Sequence, residues 1–174
     1  MTPFISQLHA GLLQDASDAN LRQWGAHIVE NDLALADLLA LIHAEKKVAT
    51  RFSWMLGGIV ERDPQRLRPV IPYLFTRRKE ILILNFERSL AKFFALAGIP
   101  SEIEGEAVEA LFQWLMDPKV LLSTRIFAMA ALDRYCVQQP ELRNELRLVL
   151  ERIASDNGGS LEKKAMGILG KGKG

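Results

Sequence analysis

Apolar residues recur along most of this chain at intervals of three and four, which is the spacing of one face of an α-helix. The two-residue alternation of a β-strand is almost absent, so the pattern predicts an all-α protein. A first amphipathic helix is predicted from Thr2-Pro3, a good N-cap and first-turn pair. Turn residues separate the further predicted helices, which cover about residues 18–31, 32–43, 47–62, 63–75, 80–97, 103–116, 120–138, 140–154 and 161–169.

Three columns of residues repeat within this helical pattern. Arg51, Arg88 and Arg125 recur every 37 residues. Two apolar columns share the interval: Leu74, Leu111, Leu148 and Leu38, Phe75, Phe112, Val149. A helical chain with a period of this length is typical of stacked hairpins that share a continuous core. The repeat predicts an α-α superhelix of stacked antiparallel helix hairpins, with the apolar columns on each first, outer helix and the arginines near the start of each second, inner helix.

Length and composition favour one domain. The 174 residues are 49% hydrophobic, which is enough for a single core. We expect residues 1–170 to form a single helical-repeat domain, with cap helices at 1–31, repeats at 32–155 and a C-terminal helix at 160–170. Residues 157–160 are a predicted linker. Because glycine and lysine alternate from Gly170 to Gly174, we expect residues 171–174 to be a disordered tail.

Charge and cysteine content limit the environment and the partners. The net charge of +1 gives no overall attraction to nucleic acid or to a membrane. Cys136 is the single cysteine, so the chain has no internal disulfide. The N-terminus lacks the basic start of a signal peptide, and no apolar stretch is long enough to span a bilayer. We therefore expect a cytoplasmic protein without a membrane partner.

Several short segments carry a resemblance to a known repeat class. They are Asp117-Pro118 in a turn, the inner helix 125–132, Pro140-Glu141-Leu142, and the earlier echoes 51–56 with Asp63-Pro64 and 88–93. Over residues 32–155 the chain resembles the HEAT/armadillo class, and as a whole it is similar to short bacterial HEAT-like proteins. In that class an acidic residue commonly precedes the arginine by six positions. Glu45 matches, whereas Leu82 and Lys119 do not.

One candidate binding surface follows from the helix predicted at 47–62. Trp54 lies opposite the apolar stripe of that helix, and Gly57 and Gly58 lie beside it in the helix interior, where glycine is unfavourable. Together with the repeat columns, this predicts a shallow groove lined by Arg51, Trp54, Gly57, Gly58, Arg88, Ala91, Arg125 and Ala128. The alternative is structural: the small residues admit a neighbouring helix with Trp54 packed across it, and the arginines donate to backbone carbonyls.

A second candidate surface is a basic rim at the turns between outer and inner helices. Its members are Lys46, Lys47, Arg77, Arg78, Lys79 and Lys119. Such a rim could bind nucleic acid or an acidic partner, and the alternative is an ordinary solvated edge.

The candidate enzyme motifs in the sequence are incomplete. The glycine spacing of Gly167 to Lys173 matches a phosphate-binding loop, but Gly174 replaces the Ser or Thr and no strand precedes it. His9, His27 and His43 have no metal-ligand spacing. We predict no catalytic residue, cofactor or metal, and interpret the chain as a binding or scaffold module that engages a protein partner along its inner helices. The alternative is a nucleic-acid-binding protein that resembles the HEAT-like repeats of DNA-alkylation-repair proteins.

Overall fold

The computed structural model describes residues 2–155 and 159–171, and within these ranges it contains helices and no strand, which confirms the all-α prediction. Short 3-10 helices at Leu35–His43, Arg68–Val70, Ser101–Ile103 and Pro140–Leu142 lie between or before the α-helices. The α-helices are α1 (Pro3–Gln14), α2 (Asp18–Glu30), α3 (Lys46–Arg62), α4 (Pro64–Leu67), α5 (Ile71–Thr76), α6 (Phe86–Ala97), α7 (Glu104–Met116), α8 (Leu122–Gln138), α9 (Arg143–Ser155) and α10 (Ser160–Lys171).

Side-chain caps fix several helix starts where the sequence predicts them. The Thr2 hydroxyl accepts a hydrogen bond from the Ile5 backbone N–H at 3.4 Å, and Pro3 follows it. Ser17 caps α2 through the Asn20 N–H at 3.2 Å. Asp63 caps α4 through the N–H of Arg66, also at 3.2 Å. Each cap satisfies a backbone donor that the first helical turn leaves unpaired.

The helix predicted at 32–43 is a 3-10 helix that begins three residues later, at Leu35. Asp32 lies in a turn with a φ of 50°. Leu35, Leu38 and Leu41 are all buried, and they are spaced by three. Side chains three positions apart line up in a 3-10 helix, which has 3.0 residues per turn, so this spacing suits the tighter helix.

Two further predicted helices are also altered. The segment 63–75 is divided into α4, a 3-10 turn and α5, because Pro69 and Pro72 lack the N–H that a continuous α-helix needs. The helix predicted from residue 80 begins at Phe86, after Asn85 in the left-handed conformation (φ 56°). Residues 81–84, which belong to the predicted helix, are therefore not helical.

Five helices contact one another in a fixed order: α2, α3, α6, α8 and α10. Each of them also packs against the helical element that precedes it in the chain. For α3 that element is the 3-10 helix Leu35–His43, for α6 it is α4 with α5, and for α8 it is α7. The core therefore runs from one hairpin into the next instead of being closed within any one of them.

The apolar columns fill this core, with one exception. Phe75 and Leu74 are fully buried, and Leu38, Phe112 and Leu111 are buried as well. Val149 packs against the core from a half-buried position. Leu148 is 60% exposed, contrary to its place in the column. It is two positions from the buried Leu146 and Leu150, and two residues advance about 200° around a helix, so Leu148 lies on the opposite side of α9.

The C-terminal helix extends slightly further than the sequence predicts. Helix α10 continues through Gly170 to Lys171, one residue into the predicted tail, and residues 172–174 lie outside the described residues. Residues 157 and 158 of the predicted linker lie outside them too, whereas its last residue, Ser160, begins α10. Within the described ranges, no helix combines the length and the apolar character needed to cross a bilayer.

We expect the N-terminal helix to contribute strongly to stability. Leu8 is fully buried where α1 packs on the rest of the fold, so Leu8→Ala should reduce the free energy of unfolding by about 2–5 kcal/mol. Leu148→Ala is the matched control, because it shortens an exposed leucine, and it should change that energy by less than about 1 kcal/mol. Urea unfolding followed by circular dichroism measures both, and equal midpoints for the two variants would contradict the role of α1 as a cap.

Candidate functional site

Trp54 is exposed on α3, as the hydrophobic pattern predicts. Its side chain is 52% accessible to solvent. The buried residues of the same helix, including Phe52, Met55 and Ile59, face the core. The polar side of α3 thus presents a large aromatic ring to solvent.

Two open cavities flank Trp54. The first, of about 440 Å³, is lined by α2 and α3, with Asp18, Arg22 and Gly58 among its residues. The second, of about 260 Å³, is lined by α3 and α6, with Ser53, Gly57 and Ser89 among its residues. Trp54 and Lys92 border both cavities and so form the ridge between them. We call the surface of both cavities the Trp54 face. Besides Trp54 itself, its polar residues are Asp18, Arg22, Ser53, Glu61, Arg62, Arg88, Ser89 and Lys92.

The two adjacent glycines of α3 have different surroundings. A Cβ added at Gly57 would lie 3.3 Å from Lys92 Nζ, so Gly57 makes room for that side chain. A Cβ at Gly58 would meet nothing within 4 Å. A neighbouring helix therefore approaches closely at Gly57, through Lys92 of α6, whereas Gly58 leaves open space in the first cavity.

The charges of the Trp54 face are mixed, with an excess of basic groups. Lys92 Nζ forms an ion pair with Glu61 Oε1 at 2.7 Å, which offsets two of the charges. Arg22 and Arg62 line the first cavity together with Asp18. Arg88 lines the second. Below this surface the buried Ser53 hydroxyl donates to the Ser89 hydroxyl at 3.0 Å and joins α3 to α6.

Sequence reasoning missed several residues of this face. Asp18 and Arg22 come from α2, and the repeat period does not predict that α2 borders α3. The sequence does contain a signal for Lys92. It lies on α6, four residues after Arg88, and residues four apart share a helix face.

Two residues of the predicted groove do not lie at its surface. Ala91 and Ala128 are fully buried and belong to the core. They lie on α6 and α8, which pack closely against each other, and a methyl side chain permits that approach. The prediction of an open groove at these positions is therefore wrong, because their small size serves contact between helices.

The arginine column has mainly structural partners. Arg51 donates to the backbone carbonyls of Leu12 and Leu13 at 2.6 and 2.8 Å, at the C-terminal end of α1. Arg125 Nε donates to the Leu115 carbonyl at 2.9 Å, at the end of α7. Helix ends leave such carbonyls unpaired, so both arginines act as caps.

Arg88 differs from the other two arginines. It is exposed, and its Nε donates to the Ser123 hydroxyl at 3.1 Å. Of the three arginines, Arg88 alone lines a cavity of the Trp54 face.

Glu45 is the acidic residue that precedes Arg51 by six positions, and it forms a hydrogen bond with His9 at 2.9 Å. That hydrogen bond lowers the pKa of the Glu45 carboxyl.

The arginines of the basic rim have partners within the fold, and its lysines are exposed. Arg77 pairs with Glu80 at 2.9 Å. Arg78 donates to the Phe75 carbonyl at 2.7 Å, and its guanidinium lies 3.9 Å from the centre of the Phe75 ring. The lysines are exposed: Lys46, Lys47, Lys79 and Lys119. The outward positive charge of the rim therefore comes mainly from lysine.

Groups with reactive chemistry are few in the described part of the chain. It holds no cluster of three or more His, Cys, Asp or Glu side chains that could bind a metal ion. Cys136 is 2% exposed, and burial raises the pKa of its thiol. Since the thiolate is the nucleophilic form, Cys136 is a packed core residue with low reactivity.

We expect the arginine column to contribute unequally to stability. Arg51→Ala leaves two carbonyls at the end of α1 without their donor and should reduce the free energy of unfolding by about 1–3 kcal/mol. Arg88→Ala removes one exposed hydrogen bond and should reduce it by less than about 1 kcal/mol. Thermal unfolding of the two variants side by side measures the difference, and a larger loss for Arg88→Ala would contradict it.

Comparisons of the chain with protein-family models, with curated proteins and with solved structures find no match.

Proposed function

We propose that this chain is a non-catalytic, cytoplasmic binding or scaffold module of the HEAT/armadillo type, whose hairpins stack as an α-α superhelix. Two observations support this architecture. The sequence repeats every 37 residues, and the second helices of successive hairpins contact one another in order. The partner is a segment of another protein, held on the Trp54 face across the inner helices α2, α3 and α6.

The exposed ring of Trp54 between two cavities is the observation that carries this proposal. Tryptophan on a surface offers a large apolar area with few rotatable bonds, and it is enriched among the residues that dominate protein interfaces. Cavities on both sides of a ridge can accept neighbouring side chains of one bound segment. The partner segment would place an apolar or aromatic side chain against Trp54 and carboxylates towards Arg22, Arg62 or Arg88.

The open space above Gly58 supports the same proposal. Glycine inside a helix is less stable than alanine by about 0.5–1 kcal/mol. No side chain in the described residues uses the space at Gly58, so packing within the fold does not offset this loss. A bound segment that approaches α3 closely would use the space.

Peptide selection tests the proposal. Random peptides displayed on phage are selected against the protein, and the affinity of the recovered peptides is measured by fluorescence polarisation. We expect Trp54→Ala to weaken binding by about tenfold or more while changing the free energy of unfolding by less than about 1 kcal/mol. Tyr73→Ala is the control, because it removes another exposed aromatic residue, on α5. Failure to enrich any peptide, or equal loss in both variants, would refute the proposal.

A substitution at Gly58 should separate stability from binding. Gly58→Ala should increase the free energy of unfolding by about 0.5–1 kcal/mol, because alanine favours the helix and its Cβ meets no atom. The same methyl group enters the first cavity and should weaken binding of the selected peptides. Gly57→Ala is the comparison; it should gain less stability, because its Cβ meets Lys92. Thermal unfolding and polarisation on the same samples measure both effects, and tighter binding by Gly58→Ala would argue against the groove.

A nucleic acid is the second candidate ligand, as in DNA-alkylation-repair proteins of similar repeats. The observation that favours it is the position of Arg22 and Arg62 beside an exposed aromatic ring, since bases stack on such rings and phosphates bind arginine. The pairing of Lys92 with Glu61 and the acidic Asp18 count against it. Affinity for a single-stranded oligonucleotide that falls steeply with salt and is lost in Trp54→Ala would favour this alternative.

A further inference from the structure

Four exposed leucines lie at the starts of two neighbouring inner helices, α6 and α8. Leu82 and Leu84 are 82% and 78% exposed and precede α6. Leu121 and Leu122 are 44% and 51% exposed at the start of α8. The hydrogen bond from Arg88 to Ser123 brings these two helix starts together. We call Leu82, Leu84, Leu121 and Leu122 the leucine patch.

The segment before α6 has the form of a short protruding loop. Residues 81–84 form no helix, and exposure alternates along them: Ile81 is 5% exposed, whereas Leu82 and Leu84 project outward. Ile81 thus anchors the segment while the two leucines remain in water. Single exposed leucines are ordinary on protein surfaces, but a cluster of four, two of them almost fully exposed, is typical of an interaction surface.

Lysines of the basic rim lie close in sequence to the leucine patch or at the start of the neighbouring helix α3. Lys79 precedes the protruding segment, and Lys119 lies in the turn before Leu121. Lys46 and Lys47 are exposed at the start of α3, which packs beside α6. The acidic residues at this end are Glu45, Glu80, Glu87 and Asp117, and Arg77 pairs with Glu80. The four rim lysines, together with Arg78 and Arg88, outnumber the three remaining carboxylates, so the charge at this end is positive.

This combination favours one occupant. A second copy of the chain would bring the lysines of two rims close together, which is unfavourable. The four leucines line neither cavity of the Trp54 face, so they protrude from the surface and offer no pocket for a side chain of a protein partner. A lipid surface needs no matching shape: its interfacial layer accepts protruding apolar side chains, and its anionic headgroups attract lysine.

We propose that the leucine patch and the nearby lysines form a peripheral contact site for an anionic bilayer, which departs from the expectation, drawn from the net charge of +1, that the protein has no membrane partner. Leu82 and Leu84 enter the interfacial layer, while Lys79 and Lys119 lie at the level of the headgroup phosphates. Contact of this kind is reversible and requires no spanning helix. It is independent of the proposed peptide binding, because these leucines do not line the cavities of the Trp54 face.

Vesicle sedimentation of the full chain tests this site. The protein should sediment with phosphatidylcholine vesicles that contain phosphatidylserine, bind much less to vesicles of phosphatidylcholine alone, and dissociate as salt rises. The double variant Leu82→Ser/Leu84→Ser should lower the apparent affinity by about tenfold or more. Leu148→Ser, which alters an exposed leucine on α9, should bind as the parent does. Lys79→Glu/Lys119→Glu should reduce binding to the anionic vesicles selectively.

Three results would overturn the site. One is the absence of sedimentation with either vesicle. Another is binding that the leucine double variant retains. The last is concentration-dependent self-association in analytical ultracentrifugation that the same variant abolishes, which would assign the patch to a second copy. Because all four leucines are exposed, circular dichroism should show each variant folded as the parent is.

Discussion

Burial of the apolar face of α3 is the interaction on which the rest of this structure depends. Helix α3 contacts α1, α2, α4, α6 and the 3-10 helix Leu35–His43, and its buried residues include Phe52 and Leu56. Its neighbours cover the apolar side only, so the opposite side remains open to solvent. The exposure of Trp54 and the cavities beside it follow from this one-sided packing.

The local chemistry of the sequence predicts much of this arrangement, because helix starts and helix faces depend on near neighbours. Ser17 and Asp63 cap the helices they precede, and the apolar stripe of α3 predicts which way Trp54 points. Close approach between helices is not local. An alanine such as Ala91 suits a groove and a tight helix contact equally well, so its burial follows only from how α6 packs on α8.

The arginine column shows how a repeat can keep a residue while its contacts change. Arg51 and Arg125 cap the carbonyl ends of α1 and α7. At the corresponding place in the middle of the chain, a longer connection, residues 77–85, separates α5 from α6. There Arg78 donates to a carbonyl at the end of α5, and Arg88 reaches Ser123 instead. The period identifies the position of each arginine, but the group that accepts from its guanidinium differs from one hairpin to the next.

That longer connection also links the two proposed surfaces. It delays the start of α6 to Phe86 and thereby leaves Leu82 and Leu84 outside the core. The helix that follows contributes Arg88, Ser89 and Lys92 to the second cavity beside Trp54. Because one helix supports both surfaces through different residues, occupation of one does not require atoms of the other. Under the two proposals, the Trp54 face holds a partner segment while the start of α6 rests against a bilayer.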